Sequence, residues 1–275
     1  MERTITDTMR QDRPSFTAQR VAVQRAQLDR PSGPDGDPEA ERRLYEGLGN
    51  PFLFARLDPG RMRGRTEWFD DATVNALARG VAQVVIVGAG YDGRALRFKG
   101  EGVHWIEVDH PATQADKRRR VESLGVDVRH ITFAAVDLVH DDVDAALDHG
   151  GHQPGAATLY LCEGLLGYLP VDAIVALFSV LRRRSTPDST LATNFRVTSQ
   201  PRWLGDHVAR AVLEGILKMV GETRLTEFHD GDPERLLAAS GWAVERQVIA
   251  DCTRLDGGSY GLLVLASPRP SDELP

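Results

Sequence analysis

Three glycines and a series of acids at strand ends carry the chemistry available to this sequence. The stretch QVVIVGAGYDG places Gly88, Gly90 and Gly93 in a G-x-G-x-x-G spacing directly after an apolar run. Glycines there let the backbone turn sharply and approach a ligand without a Cβ in the way. A nucleoside cofactor held by such a turn needs an acid at the end of the next strand, about 20 positions on, for its ribose hydroxyls. Asp109 stands 21 residues after Gly88 and closes the run HWIEVD, with Glu107 two residues earlier on the same strand face. Asp137 in AAVDL and Glu163 in LYLCEG end two further strand-like runs.

The turn alone does not choose between a nicotinamide dinucleotide and S-adenosylmethionine, because both present an adenosine ribose at this place. A dinucleotide also needs a helix N-terminus for its pyrophosphate, and Asp92, just before Gly93, opposes that charge. Asp137, placed to meet an adenine amino group, favours the methyl donor. A glycine-rich turn with no ligand would read the same way; the acid on the next strand argues against it.

The elements that must position these residues follow from periodicity. QVVIVGAG (83–90) is a continuous β-branched run, as expected of a strand buried on both faces. Further strands are expected at 104–109, 131–137, 157–164 and 189–195, with crossover helices at Thr113–Leu124 and Val171–Arg184. Alternating strands and helices build a parallel sheet with right-handed crossovers. After a helix at 233–241, the runs 244–251 and 259–267 are joined through Gly257 and Gly258 and read as an antiparallel hairpin. Upstream, helices are expected at Thr17–Asp29, Glu39–Leu48 and Trp68–Arg79, with the Pro/Gly-rich RPSGPDGDP (30–38) breaking the first. The predicted organisation is a helical N-terminal lid (1–80), a cofactor-binding sheet domain (81–268) and a frayed tail (269–275).

Composition sets the outer limits. The 275 residues are 41% hydrophobic, enough for a real core, and carry a formal charge of −7. Net acidity argues against broad nucleic-acid binding. No run of about 18 apolar residues and no apolar stretch behind the N-terminus is present, so neither a membrane span nor a secretory signal is expected. Two cysteines, Cys162 and Cys252, cannot staple a chain of this size, which points to a reducing cytoplasm. The eight histidines show no metal-ligand spacing, and no metal is expected. Of 33 basic residues only Lys99, Lys117 and Lys218 are lysines, a skew expected from a GC-rich genome.

The blocks QVVIVGAGYDGRALRF, HWIEVDHP followed by ADKRRR, AAVDL and LYLCEGLLGYLP, with RTEWFDD (65–71) upstream, resemble the leucine carboxyl methyltransferase-like family, including its bacterial small-molecule O-methyltransferases. The resemblance implies a class I methyltransferase fold: a Rossmann-like, mostly parallel sheet with an antiparallel C-terminal hairpin. It implies S-adenosylmethionine as cofactor. By the same resemblance Arg65 holds the donor's carboxylate, Gly88, Ala89 and Gly90 form the turn against its methionyl and ribose parts, and Asp109 binds the ribose. Asp137 and Leu138 flank the adenine, and Glu163 lies near the donor's amino group. Arg25, with Arg20 close by, matches an N-terminal arginine at the active site. Gly93 departs from the threonine or alanine usual in relatives, a change expected to loosen the turn.

No residue pair announces itself as a general base, which favours a carboxylate or an acidic hydroxyl as methyl acceptor. Tyr168, Asn194 and Arg196 follow the fourth and fifth strands, at the strand ends where open α/β sheets bind ligands, and are the acceptor-side candidates. Region 194–230 matches no close family pattern and is where acceptor identity is expected, with PRWLGDHVAR (201–210) as a cover or one more packed helix. The expected activity is O-methylation of a small metabolite or short peptide, in bacterial secondary metabolism; an NAD-dependent oxidoreductase on the same turn is the alternative. Asp92 with Arg94 reads as a surface pair, Lys117–Arg120 as a solvated helix face, and Cys162 as a small core residue.

Overall fold

The sheet is organised around strands that water never touches. In the computed structural model, which describes residues 13–48, 60–100, 102–198, 225–252 and 259–270, every residue of β1 (Gln83–Val87) and β4 (Thr158–Cys162) is buried. Alternate residues serve opposite layers: Val85, Val87, Tyr160 and Cys162 pack on one side, and Val84, Ile86, Leu159 and Leu161 on the other. Two-sided burial explains the uninterrupted apolar runs.

Among the described residues seven strands lie in the order β3-β2-β1-β4-β5-β7-β6. β2 (His104–Asp109), β3 (Ile131–Ala135) and β5 (Thr190–Thr198) complete the parallel part. β6 (Trp242–Cys252) and β7 (Ser259–Pro268) form the antiparallel hairpin, and β7 inserts beside β5, pairing Leu191 with Ala266 through Thr198 with Ser259. The strand order reverses between β1 and β4, the switch point where open α/β sheets place their ligands. Cys252 ends β6, and Gly257 and Gly258 fall outside the described residues, as does the stretch 201–210.

Helices cover both faces. α1 (Phe16–Arg25) begins at Ser15, whose Oγ accepts from Ala18 N at 3.0 Å. α2 (Pro38–Tyr45) has Asp37 as its cap and proline in its first turn, which suits a position that needs no N–H donor. α3 spans Gly60–Ala78, reaching further toward the N-terminus than the expected start at Trp68. α4 (Arg94–Arg97) is a single turn after the glycines. α5 (Pro111–Leu124), α6 (Val143–His149), α7 (Val171–Arg183) and α8 (Asp232–Ala239) are the remaining helices described. The tail is tied where it leaves β7: Arg269 N donates to Gly241 O at 2.9 Å. Among the described residues no helix is long and apolar enough to cross a membrane.

Candidate active site

The glycine turn and the acid of the next strand are in direct contact. Gly88 and Gly90 have φ of 67° and 51°, the left-handed region that L side chains avoid. Gly88 N and Ala89 N donate to Val108 O at 2.8 and 3.1 Å, and Gly90 N donates to Asp109 Oδ2. Asp109 Oδ1 accepts from His110 N at 2.6 Å. Burial pushes the Asp109 carboxyl above its usual range, with these two N–H donors opposing the shift. A Cβ on Gly90 would lie 3.1 Å from Ala18 Cβ, so α1 packs directly over the turn.

The start of α4, where a pyrophosphate would sit, is occupied by the protein's own carboxylates. Arg94 N donates to Asp92 Oδ1 at 2.8 Å, and Gly93 N to Glu41 Oε1 at 3.3 Å. This placement answers two expectations. Gly93 is small because the Glu41 side chain fills its surroundings: a Cβ there would stand 2.3 Å from Glu41 Cγ. The change from threonine or alanine therefore tightens packing around the turn. A dinucleotide phosphate would meet two negative charges, and nothing in the fold favours the oxidoreductase alternative.

Asp92 and Arg94 are not a surface pair. Both are buried, and Arg94 bridges three carboxylates: Asp92, Asp70 (2.8 Å) and Glu163 (2.9 Å). The expectation failed because short-range sequence cannot reveal that α3 and the end of β4 close over this turn. Glu163 also receives Arg25 Nη2 at 2.5 Å and Arg65 Nε at 2.9 Å. Burial alone would raise Glu163, but Arg25, Arg94 and Arg65 outweigh it and hold the carboxyl at about 2. Asp92 is held well below the usual carboxylate range by Arg94 and Arg25 against the opposing effect of burial. Burial lowers the Arg65 guanidinium; Glu163 opposes this and the like charge of Arg25 adds to it. Arg65 is also the least enclosed of the three arginines, its side chain 22% exposed.

Behind this group lie two more arginines, Arg30 and Arg97, that the sequence did not single out. Arg30 pairs with Glu41 at 2.5 Å and with Asp70 at 2.8 Å; Arg97 joins the same two acids. Asp70 is held at about 2, burial opposing and Arg94, Arg30 and Arg97 prevailing. Asp70 lies five residues after Arg65 in RTEWFDD, and that spacing was the only available signal. Lys117 was also misread: it is buried, 2.5 Å from Glu107, while Arg119 on the same helix is 73% exposed.

The remaining sequence candidates are distributed along the strand ends. Asp137 follows β3, next to Val136, whose N–H donates to Asp109 O at 2.8 Å. The Asp137 side chain accepts from Val139 N at 3.0 Å, and Leu138 packs against the core. Asn194 Oδ1 accepts from Gly164 N at 2.7 Å, so it braces the loop after Glu163. Arg196 lies two residues on, the same face of β5, and Tyr168 sits in the 3-10 turn Leu166–Tyr168. Arg20 lies on α1, one and a half turns before Arg25, but Arg25 is the one that reaches Glu163. Among the described residues no group of three metal-ligating side chains is placed to hold an ion.

Residues 38–182 match the family model described as leucine carboxyl methyltransferase, more than half of the chain. The chain belongs to the leucine carboxyl methyltransferase family. Relatives provisionally named S-adenosyl-L-methionine-dependent methyltransferases support the assignment. One from Rhodococcus jostii is 34% identical over 85% of this chain and 80% of its own length. Another, from Mycolicibacterium paratuberculosis, is 31% identical over 84% and 76%. A relative from Mycolicibacterium smegmatis is 37% identical, but the match spans only 52% of that protein's length. The magnesium protoporphyrin IX methyltransferase of Synechocystis PCC 6803, solved with bound SAH, shares the fold at a TM-score of 0.51 and 17% identity, covering 84% of this chain and 94% of that one. This member of the leucine carboxyl methyltransferase family is thus an S-adenosylmethionine-dependent methyltransferase.

Proposed function

We propose that this methyltransferase transfers the methyl group of S-adenosylmethionine to a carboxylate oxygen of a small metabolite or short peptide, in the cytoplasm and within bacterial secondary metabolism. The cofactor fits the residues present. Gly88 and Gly90 keep the turn tight, with left-handed backbone and with Leu165 and Ala18 where a Cβ would stand, and Arg25 Nε is buried without a hydrogen-bond partner. A Cβ at Gly164 would lie 3.7 Å from both Arg65 Nη atoms, so that guanidinium borders the loop after Glu163. In this reading Gly88, Ala89 and Gly90 face the methionyl and ribose parts, Asp109 the ribose, and Asp137 with Leu138 the adenine. Arg65 and Arg25 meet the donor's carboxylate, and Glu163 its ammonium group.

The observation that carries the choice of acceptor is the state of the acids in the arginine cluster. Glu163 and Asp70 are held at about 2 and Asp92 lower still, each by arginines. Carboxylates so strongly committed to their ionised form are poor proton acceptors at neutral pH. A hydroxyl acceptor needs a base; a carboxylate is ionised already. When bound, S-adenosylmethionine supplies a methyl group activated by a sulfonium. Transfer of that methyl group to a carboxylate oxygen would require no proton to move. The protein's task is to align the two and exclude water. Asn194, Tyr168 and Arg196 are suited to line the acceptor side, with Arg196 pairing an acceptor carboxylate.

Calorimetry tests the donor assignment: S-adenosylhomocysteine is expected to bind and NAD not to bind, and Asp109→Ala to abolish the first. Retained binding in that variant refutes the ribose assignment. Incubation with a panel of carboxylic acids and phenols, read by mass, tests the acceptor. A gain of one methylene confined to hydroxyl compounds overturns the carboxylate reading.

A further inference from the structure

Beneath the glycine turn lies a buried cation that the chemistry above leaves unused. Lys117 on α5 is 1% exposed, and its Nζ donates to the backbone carbonyl of Asp92 at 2.5 Å. The same Nζ lies 2.5 Å from Glu107 Oε2 on β2. One helical turn earlier, Gln114 Nε2 donates to the Glu107 carbonyl at 2.9 Å, fastening α5 to the same strand.

A buried ion pair is a poor way to gain stability, since apolar side chains of similar volume do as well or better. Glu107 bears this out: burial pushes its carboxyl up to about 7 even with Lys117 beside it. What an apolar pair cannot do is grip a carbonyl. The turn is attached to the β2–α5 layer by Gly88 N and Ala89 N to the Val108 carbonyl, by Gly90 N to Asp109, and at its far end by Tyr91 to Asp116 and by Asp92 O to Lys117. A ribose that claims the Asp109 oxygens competes with the Gly90 attachment; Val108 then holds the start of the turn, and Lys117 holds the backbone at its far end.

We propose that Lys117 is a positioning residue for the methyl donor: it anchors the Asp92 carbonyl to β2 and so sets the gap between the glycine turn and Asp109. The inference rests on the reading that this turn binds S-adenosylmethionine. It differs from an ordinary stabilising role because the anchor matters after the pair is removed cleanly.

Two variants separate the roles. Lys117→Met leaves Glu107 buried and alone, so it is expected to lose stability as well as affinity. In Lys117→Met/Glu107→Leu both charges are replaced by apolar groups, and the melting temperature is expected to fall by no more than the few degrees that one unpaired carbonyl costs. S-adenosylhomocysteine affinity of the double variant should nevertheless fall about tenfold, the effect of losing one hydrogen bond from a charged donor. Hydrogen exchange of the amides in 88–93, measured on the ligand-free proteins, should quicken in the double variant. Wild-type affinity in the double variant, or unchanged exchange at 88–93, overturns the proposal. If the wild-type protein itself fails to bind S-adenosylhomocysteine, the donor reading falls, and the exchange measurement still decides the role of Lys117.

Discussion

Glu163→Gln keeps the side chain's shape and removes its charge from the centre of the arginine cluster. In the wild-type protein three guanidiniums, Arg25, Arg65 and Arg94, reach this carboxylate at 2.5–2.9 Å. They hold it at about 2 against an ordinary value of 4.5. That difference corresponds to about 3 kcal/mol of folding stability at neutral pH. The folded-state value lies below the unfolded one, so the contribution is complete above pH 4.5 and is lost as pH falls through 2. By pH 3 about 1 kcal/mol of it should remain. The assay is urea unfolding of both proteins at pH 7 and at pH 3. The variant should be less stable by about 3 kcal/mol at pH 7, and the gap should shrink by about 2 kcal/mol at pH 3. Any strain from amide hydrogens facing the arginines adds a part that does not change with pH. A gap of equal size at both pH values refutes the electrostatic account and leaves only packing.

Two further outcomes follow from the same geometry. Gly93→Ala drives a Cβ to within 2.3 Å of Glu41 Cγ, and Glu41 cannot withdraw because Arg30, Arg97 and Tyr45 hold it; a loss of about 1–3 kcal/mol is expected, and an unchanged melting temperature argues against the packing described. Cys162 is buried and burial pushes its thiol well above the ordinary range, so a thiol reagent should leave it unlabelled in the native protein and label it in urea; rapid native labelling removes it from the core.

Much of the frame was legible because it is written in short-range patterns. The run 104–109 matches β2 residue for residue, and the starts or ends of the other strands shift by one to three positions. The glycine turn and Asp109 were legible for the same reason: a strand, a tight turn and an acid at the end of the next strand are local features in a fixed order. Arg25, Arg65 and Glu163 were singled out through family resemblance, and the structure brings these three together. It also brings in Glu41, Arg30 and Arg97, which no local pattern marks, and Asp70, marked only by its place in RTEWFDD.

The sequence by itself determined where strands and helices alternate, where the turn falls and which acids end which strands. Those features depend on apolar periodicity and on residues within one turn or strand of each other. Only the tertiary structure decided which charges are inside. Lys117 and Arg119 stand two positions apart in one basic run, yet the first is buried against Glu107 and the second is exposed. The difference arises from the rotation of α5 over β2, which the run itself does not encode. Arg65 finds Glu163 across 98 residues, and Arg94 finds Asp70 across 24. A charge can be buried only where others cancel it, and which others are near is settled when the layers pack.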